Sequence, residues 1–197
     1  MSFLQIYIEE ITDLLAPIMS PASAGRRLQI REDPEHGIYV EGLNHMIATS
    51  GDEVLQAIRV AVSQRATSST NQNSCSSRSH ALLQFTLQQC APNDSDDAVR
   101  LKRSTLSIVD LAGSERVSKS GSDGVRLEEA KKINRSIAAL GNCVSALASI
   151  QNGSLQRTHV PFRDSKLTRL LTDSLGGNSK TCLCANIGPS TSSYDET

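Results

Sequence analysis

Three polar clusters in the 197-residue chain carry side chains that can handle a metal-bound phosphate. Asp110 ends a strand-like run, residues 105–109, with Leu106, Ile108 and Val109 its apolar members, and Gly113 follows within DLAGSE. A carboxylate at a strand exit can hold Mg²⁺ directly or through water. A glycine amide with no side chain in the way can meet a terminal phosphate oxygen. Asp-x-x-Gly is also an ordinary turn, so the pair takes its meaning from its surroundings. The second cluster, NSCSSRSH, runs from Asn73 to His80 and sets two hydroxyls, Ser76 and Ser77, ahead of Arg78. The hydroxyls can serve a cation and a nucleophilic water. Arg78 is a fixed cation and Glu115 a carboxylate, and a pair between them would latch the first loop to the second. Loops that order around a γ-phosphate and relax when it leaves work in this way. The third cluster is Asn134 within KKINRSIAALGN.

Those clusters need elements to position them. Residues 3–8 alternate apolar and polar and predict a strand. Residues 9–15 predict a short helix with Ile11, Leu14 and Leu15 on one side. Residues 16–27, with Pro17, Pro21 and Gly25, predict a loop. Residues 28–32, 38–41 and 45–48 predict short strands, the first two joined by turn residues. Ser50 and Glu53 have capping-box spacing and open a helix with Val54, Leu55, Ile58 and Val62 on its apolar face. Residues 80–90 and 100–110 predict two long antiparallel strands, the second a buried one ending in Asp110. A long helix follows over residues 125–150, its core side Ala130, Ile133, Ile137, Leu140, Val144 and Leu147. Lys131 and Arg135 project about opposite to Ile133, at ~100° per residue. Residues 163–175 predict a second helix with Leu167, Leu170 and Leu171 inward, ended by Gly176 and Gly177. Residues 181–187, TCLCANI, predict a buried strand. Strands alternating with long helices imply an α/β layered domain.

Composition removes several classes of function. Formal net charge is -1, so no global field draws the chain to nucleic acid or to an anionic membrane. Trp is absent and aromatics make up 3%, which argues against a stacking platform for single-stranded nucleic acid. No apolar run reaches the length of a membrane span. The five Cys, an odd number with no CxxC pair, read as buried reduced thiols of a cytosolic protein. Both ends, SFLQIYI and SSYDET, read as cuts through a larger domain.

NxxSSRSH, DLAGSE, the INxS…LG run and HVPFRDSKLTRLLTDSLGGNSKT resemble the kinesin motor domain, and so does FLQIYIEEITDLL. The motifs follow family order from one end of the chain to the other. The resemblance implies an α/β fold: an incomplete kinesin-type P-loop NTPase domain with a central mixed β-sheet flanked by helices on both faces. Residues 1–197 would form a single partial domain, truncated at both ends. It implies a microtubule-stimulated ATPase using ATP and Mg²⁺, with tubulin as partner, on cytoplasmic microtubules, and with neither nucleic acid nor membrane. Ser77 resembles the Mg²⁺-coordinating serine of switch I, and Ser76 the residue that helps hold the attacking water. Arg78 and Glu115 resemble the salt bridge that closes the two switches. Asp110 resembles the switch II aspartate linked to Mg²⁺ through water, and Gly113 the amide donor to the γ-phosphate. Asn73, which opens the first motif, and Asn134, on the relay helix, join the nucleotide-contacting set.

Tubulin's surface is acidic, so its partner patch should be cationic. Lys119, Lys131, Lys132 and Arg135 match the family's microtubule-facing loop and helix. Arg163, Lys166 and Arg169 match the loop and helix after it, where the sequence offers only Asp164 in opposition. The family's phosphate loop, GxxxxGK[ST], does not occur. In GGNSKT, Lys180 follows Ser179 rather than Gly, and the segment lies after a helix and before a strand, the reverse of the required order. The chain alone is therefore expected to bind ATP weakly or not at all, and to show no microtubule-stimulated turnover. Two other readings stand beside a segment of a working motor. One is a non-catalytic microtubule-binding kinesin-like protein or a truncated product without ATP binding. The other is a different P-loop NTPase with similar switches, against which HVPFRDSKLT argues. The full switch registers favour the motor, since an adhesive module has no use for Ser76, Ser77 and Arg78 together.

Overall fold

A computed structural model of the chain describes residues 1–34, 37–67, 75–93, 96–114, 125–153 and 159–186. Its main sheet has the order β2-β1-β5-β6, built from β1 (Ser2–Tyr7), β2 (Glu10–Asp13), β5 (His80–Asn93) and β6 (Asp96–Asp110). Every pairing among these four strands is antiparallel. Side chains alternate across β1 and β5, as the strand period demands. Leu4, Ile6 and Leu82 enter one core, completed by Leu28 and by Ile30 and Val40 of the hairpin β3 (Gln29–Asp33) and β4 (Gly37–Glu41). Leu167 of α4 (Lys166–Leu170) and Leu171 close that side. Phe3, Ala81 and Leu83 enter the other core, closed by Leu14, Leu15 and by Ala57 and Ala61 of α2 (Gly51–Thr67). The fold is α/β, with helices on both faces of the sheet, as the motif order implied.

Several expectations are corrected. Residues 9–15 are not a helix. Ile8 and Glu9 both have positive φ, 51° and 61°, as a two-residue type I′ turn requires, and the chain reverses so that Ile6 pairs with Ile11. The expected loop at 16–27 contains α1 (Ala16–Met19) and a 3₁₀ turn, Pro21–Ser23. Residues 45–48 form no strand: Asp13 instead holds Asn44 through its backbone and side-chain amides, each at 2.8 Å. At the start of α2 the Ser50 cap forms as expected, and only the carboxylate half of the box is shifted by one residue. Ser50 Oγ accepts from Glu53 N–H at 3.3 Å, but the Glu53 carboxylate reaches Thr49 N–H, at 2.8 Å. The buried face of α2 is Ala57, Ala61 and Arg65, a narrow stripe that lets the helix approach the sheet closely, whereas Leu55 and Val62 are exposed.

The strand leading to Asp110 is not buried. Leu106 and Ile108 are 58% and 52% exposed, because β6 is an edge among the described strands and α2 covers only the inner ones. On α3 (Val125–Gln151) the buried positions are Ile133, Ser136, Ala139, Cys143 and Ala146, with Val144 turned outward. The helix expected over 163–175 is broken into a 3₁₀ turn, Phe162–Asp164, then α4 and α5 (Thr172–Gly176). The break follows from a new N-cap: Ser165 Oγ accepts from Thr168 N–H at 3.0 Å, and Thr168 Oγ1 from Ser165 N–H at 3.3 Å. Gly177 ends α5, where a Cβ would lie 2.6 Å from the Asp173 carbonyl oxygen. Residues 181–186 form no strand and are exposed, so Cys182 and Cys184 are not buried thiols. Cys90 is exposed too, whereas Cys143 is buried.

A β-branched residue at positive φ is strained, since its Cβ crowds the following carbonyl. Ile8→Asn should therefore raise stability by about 1 kcal/mol. A shift of the urea midpoint to higher concentration, at unchanged slope, checks it.

Candidate functional site

The register of β5 and β6, with Ala81 opposite Asp110, brings two polar segments out of the sheet at one end. The 3₁₀ turn Cys75–Arg78 precedes β5, and residues 111–114 follow β6. Gly113 N–H donates to the Ser77 carbonyl at 2.8 Å, so a backbone bond joins the two loops. Ser77 is exposed and Arg78 half-buried at this junction. The Asp110 side chain stands beside it, 68% exposed. Ser77, Gly113 and Asp110 thus gather at one end of the sheet. Asn73, Glu115 and Lys119 lie outside the described residues, and only the backbone of Ser76 is described. Asn134 is half-buried on α3.

Beneath the junction lies a polar network that sequence reading missed. Arg65 reaches up from α2, its side chain only 10% exposed. Its Nη1 donates to Asp110 Oδ2 at 2.7 Å and its Nη2 to the Ser79 carbonyl at 2.8 Å. A longer bond runs from Nε to Ser79 Oγ, 3.4 Å. The only sequence signal for Arg65 was its place four residues after Ala61 on the small-residue stripe. Next to it, Ala112 N–H donates to His80 Nδ1 at 3.0 Å. That bond makes Nδ1 an acceptor and leaves the ring proton on Nε2. Nε2–H then meets Ser136 Oγ at 2.7 Å, while the Ser136 hydroxyl donates to the Ile133 carbonyl at 2.6 Å. Burial, and then the Arg65 guanidinium, push the His80 imidazole down to about 4, against an upward pull from Asp110.

Ser77 and Asp110 offer hard oxygen donors, the class Mg²⁺ takes together with phosphate and water. Among the described residues no group of three or more His, Cys, Asp or Glu could hold a metal unaided. The donor set therefore fits an ion that arrives with a phosphate better than a resident metal. Of the expected cationic residues, Lys131, Lys132 and Arg135 are exposed on α3. Arg163 and Arg169 both reach Glu32 Oε2, at 3.3 and 3.4 Å. The Lys166 backbone N–H donates to Glu9 Oε2 at 2.7 Å. Two acids far away in sequence therefore border this second basic segment, which a count along the chain could not show.

The family model for the kinesin motor domain matches residues 1–197. The chain belongs to the kinesin motor domain family. It is 47% identical over 196 residues to kinesin-related protein 5 of Dictyostelium discoideum, covering 100% of this chain and 18% of that protein. It is 44% identical over 196 residues to the kinesin-like protein Klp68D of Drosophila melanogaster, covering 100% of this chain and 23% of that one. Among solved structures it is similar to a KIF14 dimer in a two-heads-bound state, with AMP-PNP and in complex with a microtubule. The TM-score is 0.85 at 38% identity, over 100% of this chain and 54% of that chain. It is also similar to a fast kinesin, with TM-score 0.73 and 44% identity, over 90% of this chain and 46% of that chain.

Because the folded imidazole resists protonation down to about 4, while an unfolded one titrates near 6.5, the unfolded chain binds the extra proton between these values. The His80 contribution to stability is full above pH 6.5 and is lost as pH falls from 6.5 toward 4, a loss of about 3 kcal/mol. Urea unfolding at about pH 7.5 and about pH 4.5 measures it. His80→Asn should lack that component, so the wild type must lose more stability than the variant over the same interval.

Proposed function

We propose that this chain carries the nucleotide-sensing switches and the microtubule-facing surface of a microtubule-dependent motor ATPase of the cytoskeleton, as one part of its motor domain. The observation that carries this reading is the bond from Gly113 N–H to Ser77 O beside an exposed Asp110. For Gly113 to donate to a γ-phosphate it must release Ser77. A phosphate would then take the place of a backbone bond between the loops, and its departure would let that bond re-form. Such an exchange is how a loop pair senses a phosphate.

In this reading Ser77 would contribute an oxygen toward Mg²⁺, and Asp110 would hold the ion through water. The ion itself, when bound with ATP, supplies neutralisation of phosphate charge. Ser76 orients the attacking water, and Arg78 with Glu115 latches the loops around it. Asn73 and Asn134 border the nucleotide. Phosphoryl transfer to water depends on such positioning more than on a strong base. Lys119, Lys131, Lys132 and Arg135, with Arg163, Lys166 and Arg169, face the acidic tubulin surface. The KIF14 neighbour, bound to AMP-PNP and a microtubule, and the relatives' kinesin names support both halves of this assignment.

ATP turnover by the complete protein, with and without microtubules, tests the reading, and a protein that binds microtubules without turnover would support the adhesive alternative. Arg78→Ala in the complete protein should leave nucleotide affinity largely intact and lower stimulated hydrolysis by about 100-fold or more. Unchanged turnover would remove Arg78 from the latch. Replacing Lys166 and Arg169 with Ala should weaken microtubule affinity and flatten its dependence on salt. An unaltered salt response in a co-sedimentation series would take them out of the interface.

A further inference from the structure

We propose that His80 is a positioning residue that couples the loop at residues 110–113 to α3 through Ser136, as one directed chain of hydrogen bonds. The chain runs from Ala112 N–H to His80 Nδ1, from His80 Nε2–H to Ser136 Oγ, and from Ser136 to the Ile133 carbonyl. The direction is fixed at both ends. A backbone amide can only donate and a backbone carbonyl can only accept, so the ring and the hydroxyl between them have one self-consistent arrangement.

The links are sealed from water. His80 and Ser136 are each 3% exposed and Ala112 5%. A buried donor that loses its partner finds no replacement, so the links hold or move together. Position adds to this. Ala112 precedes Gly113, whose amide holds Ser77. Ser136 lies three residues after Ile133, which anchors α3 in the protein interior. A displacement of the loop is therefore carried across His80 to the buried face of α3, the helix that presents Lys131, Lys132 and Arg135 on its outer face. The coupling rests on the proposed motor function only for the ligand that moves the loop. The hydrogen-bond chain itself does not depend on that ligand.

The test uses two substitutions in the complete protein. Ser136→Ala removes the hydroxyl alone. His80→Asn keeps an amide oxygen near the position of Nδ1, so Ala112 retains an acceptor, but it lacks the reach to Ser136. Both cut the same link. Each should lower the ratio of microtubule-stimulated to basal turnover by about tenfold, and the double variant should fall no further than either single one. A ratio unchanged in Ser136→Ala, or losses that multiply in the double variant, overturns the proposal. Amide hydrogen exchange gives a second readout that a local packing role would not move. Ser136→Ala should speed exchange at the Ala112 amide, two links away, by about tenfold, and unchanged exchange there overturns the coupling. If the unaltered protein shows no microtubule stimulation, the motor reading fails, and exchange at Ala112 alone then decides the hydrogen-bond chain.

Discussion

A guanidinium buried where two strands end cannot be left unpaired, and Arg65 sets this constraint. Removing its charge from water is costly unless each donor is matched, and breaking such a match costs more than the pair contributes. Asp110 Oδ2 and the Ser79 carbonyl meet its terminal nitrogens at 2.7 and 2.8 Å. To reach them, α2 must lie close against the sheet, which Ala57 and Ala61 permit because they are small and fully covered. The same two bonds fix where β6 ends and where the residues before β5 turn. One buried charge thus ties together the described ends of both polar segments. Asp110 is thereby shared: one oxygen satisfies the interior, while the side chain stays largely exposed to solvent.

A second constraint is that strands need neighbours. In the interior of the sheet β1 is covered on both faces, and its residues from Ser2 to Ile6 are all buried. At the edge the same kind of sequence behaves differently. Leu106 and Ile108 of β6, and Leu87 and Leu101 farther along the hairpin, stand exposed although their pattern is that of a core strand. Residues 181–186 have strand composition but no ladder, and Leu183 is 75% exposed. Apolar edges and faces of this kind are templates for pairing with further strands. Composition states only what a segment can bury. The available partners decide what it does bury.

The same distinction explains what could be read in advance. The long hairpin was legible because two apolar-rich runs share a short acidic turn, and α3 was legible from its sustained period. The motifs around Ser77 and Asp110 were legible because their chemistry is local to a few residues. The β1–β2 turn was not, since Ile8 at positive φ runs against every local preference and is held there by the pairing on either side. Nor was the α2 face: Val54, Leu55, Ile58 and Val62 form the more hydrophobic stripe, yet close approach to the sheet selected the smaller one. On α3 the burial of Cys143 in place of Val144 reflects a rotation of a fraction of a turn, too small for spacing to reveal. Glu32 opposite Arg163 and Arg169, and Ser136 opposite His80, are long-range pairs, and a single sequence carries no local trace of them.

Two adjacent amides at the end of β6 have different surroundings. Gly113 N–H meets a carbonyl in a half-exposed junction, Ser77 O, within reach of solvent. Ala112 N–H meets an imidazole nitrogen in the interior, where burial and the nearby guanidinium keep the ring neutral and therefore able to accept. Were His80 charged, Nδ1 would carry a proton and repel the amide it now receives. Neutrality of the ring is thus a condition of the loop's conformation; burial secures it first, and Arg65 adds to that in addition to holding Asp110. If a ligand exchanged the partner of Gly113, as proposed, the loop would have one amide released and its neighbour still fastened. Its motion would then have to pivot about Ala112, and a pivot fastened to His80 would load the bond to Ser136.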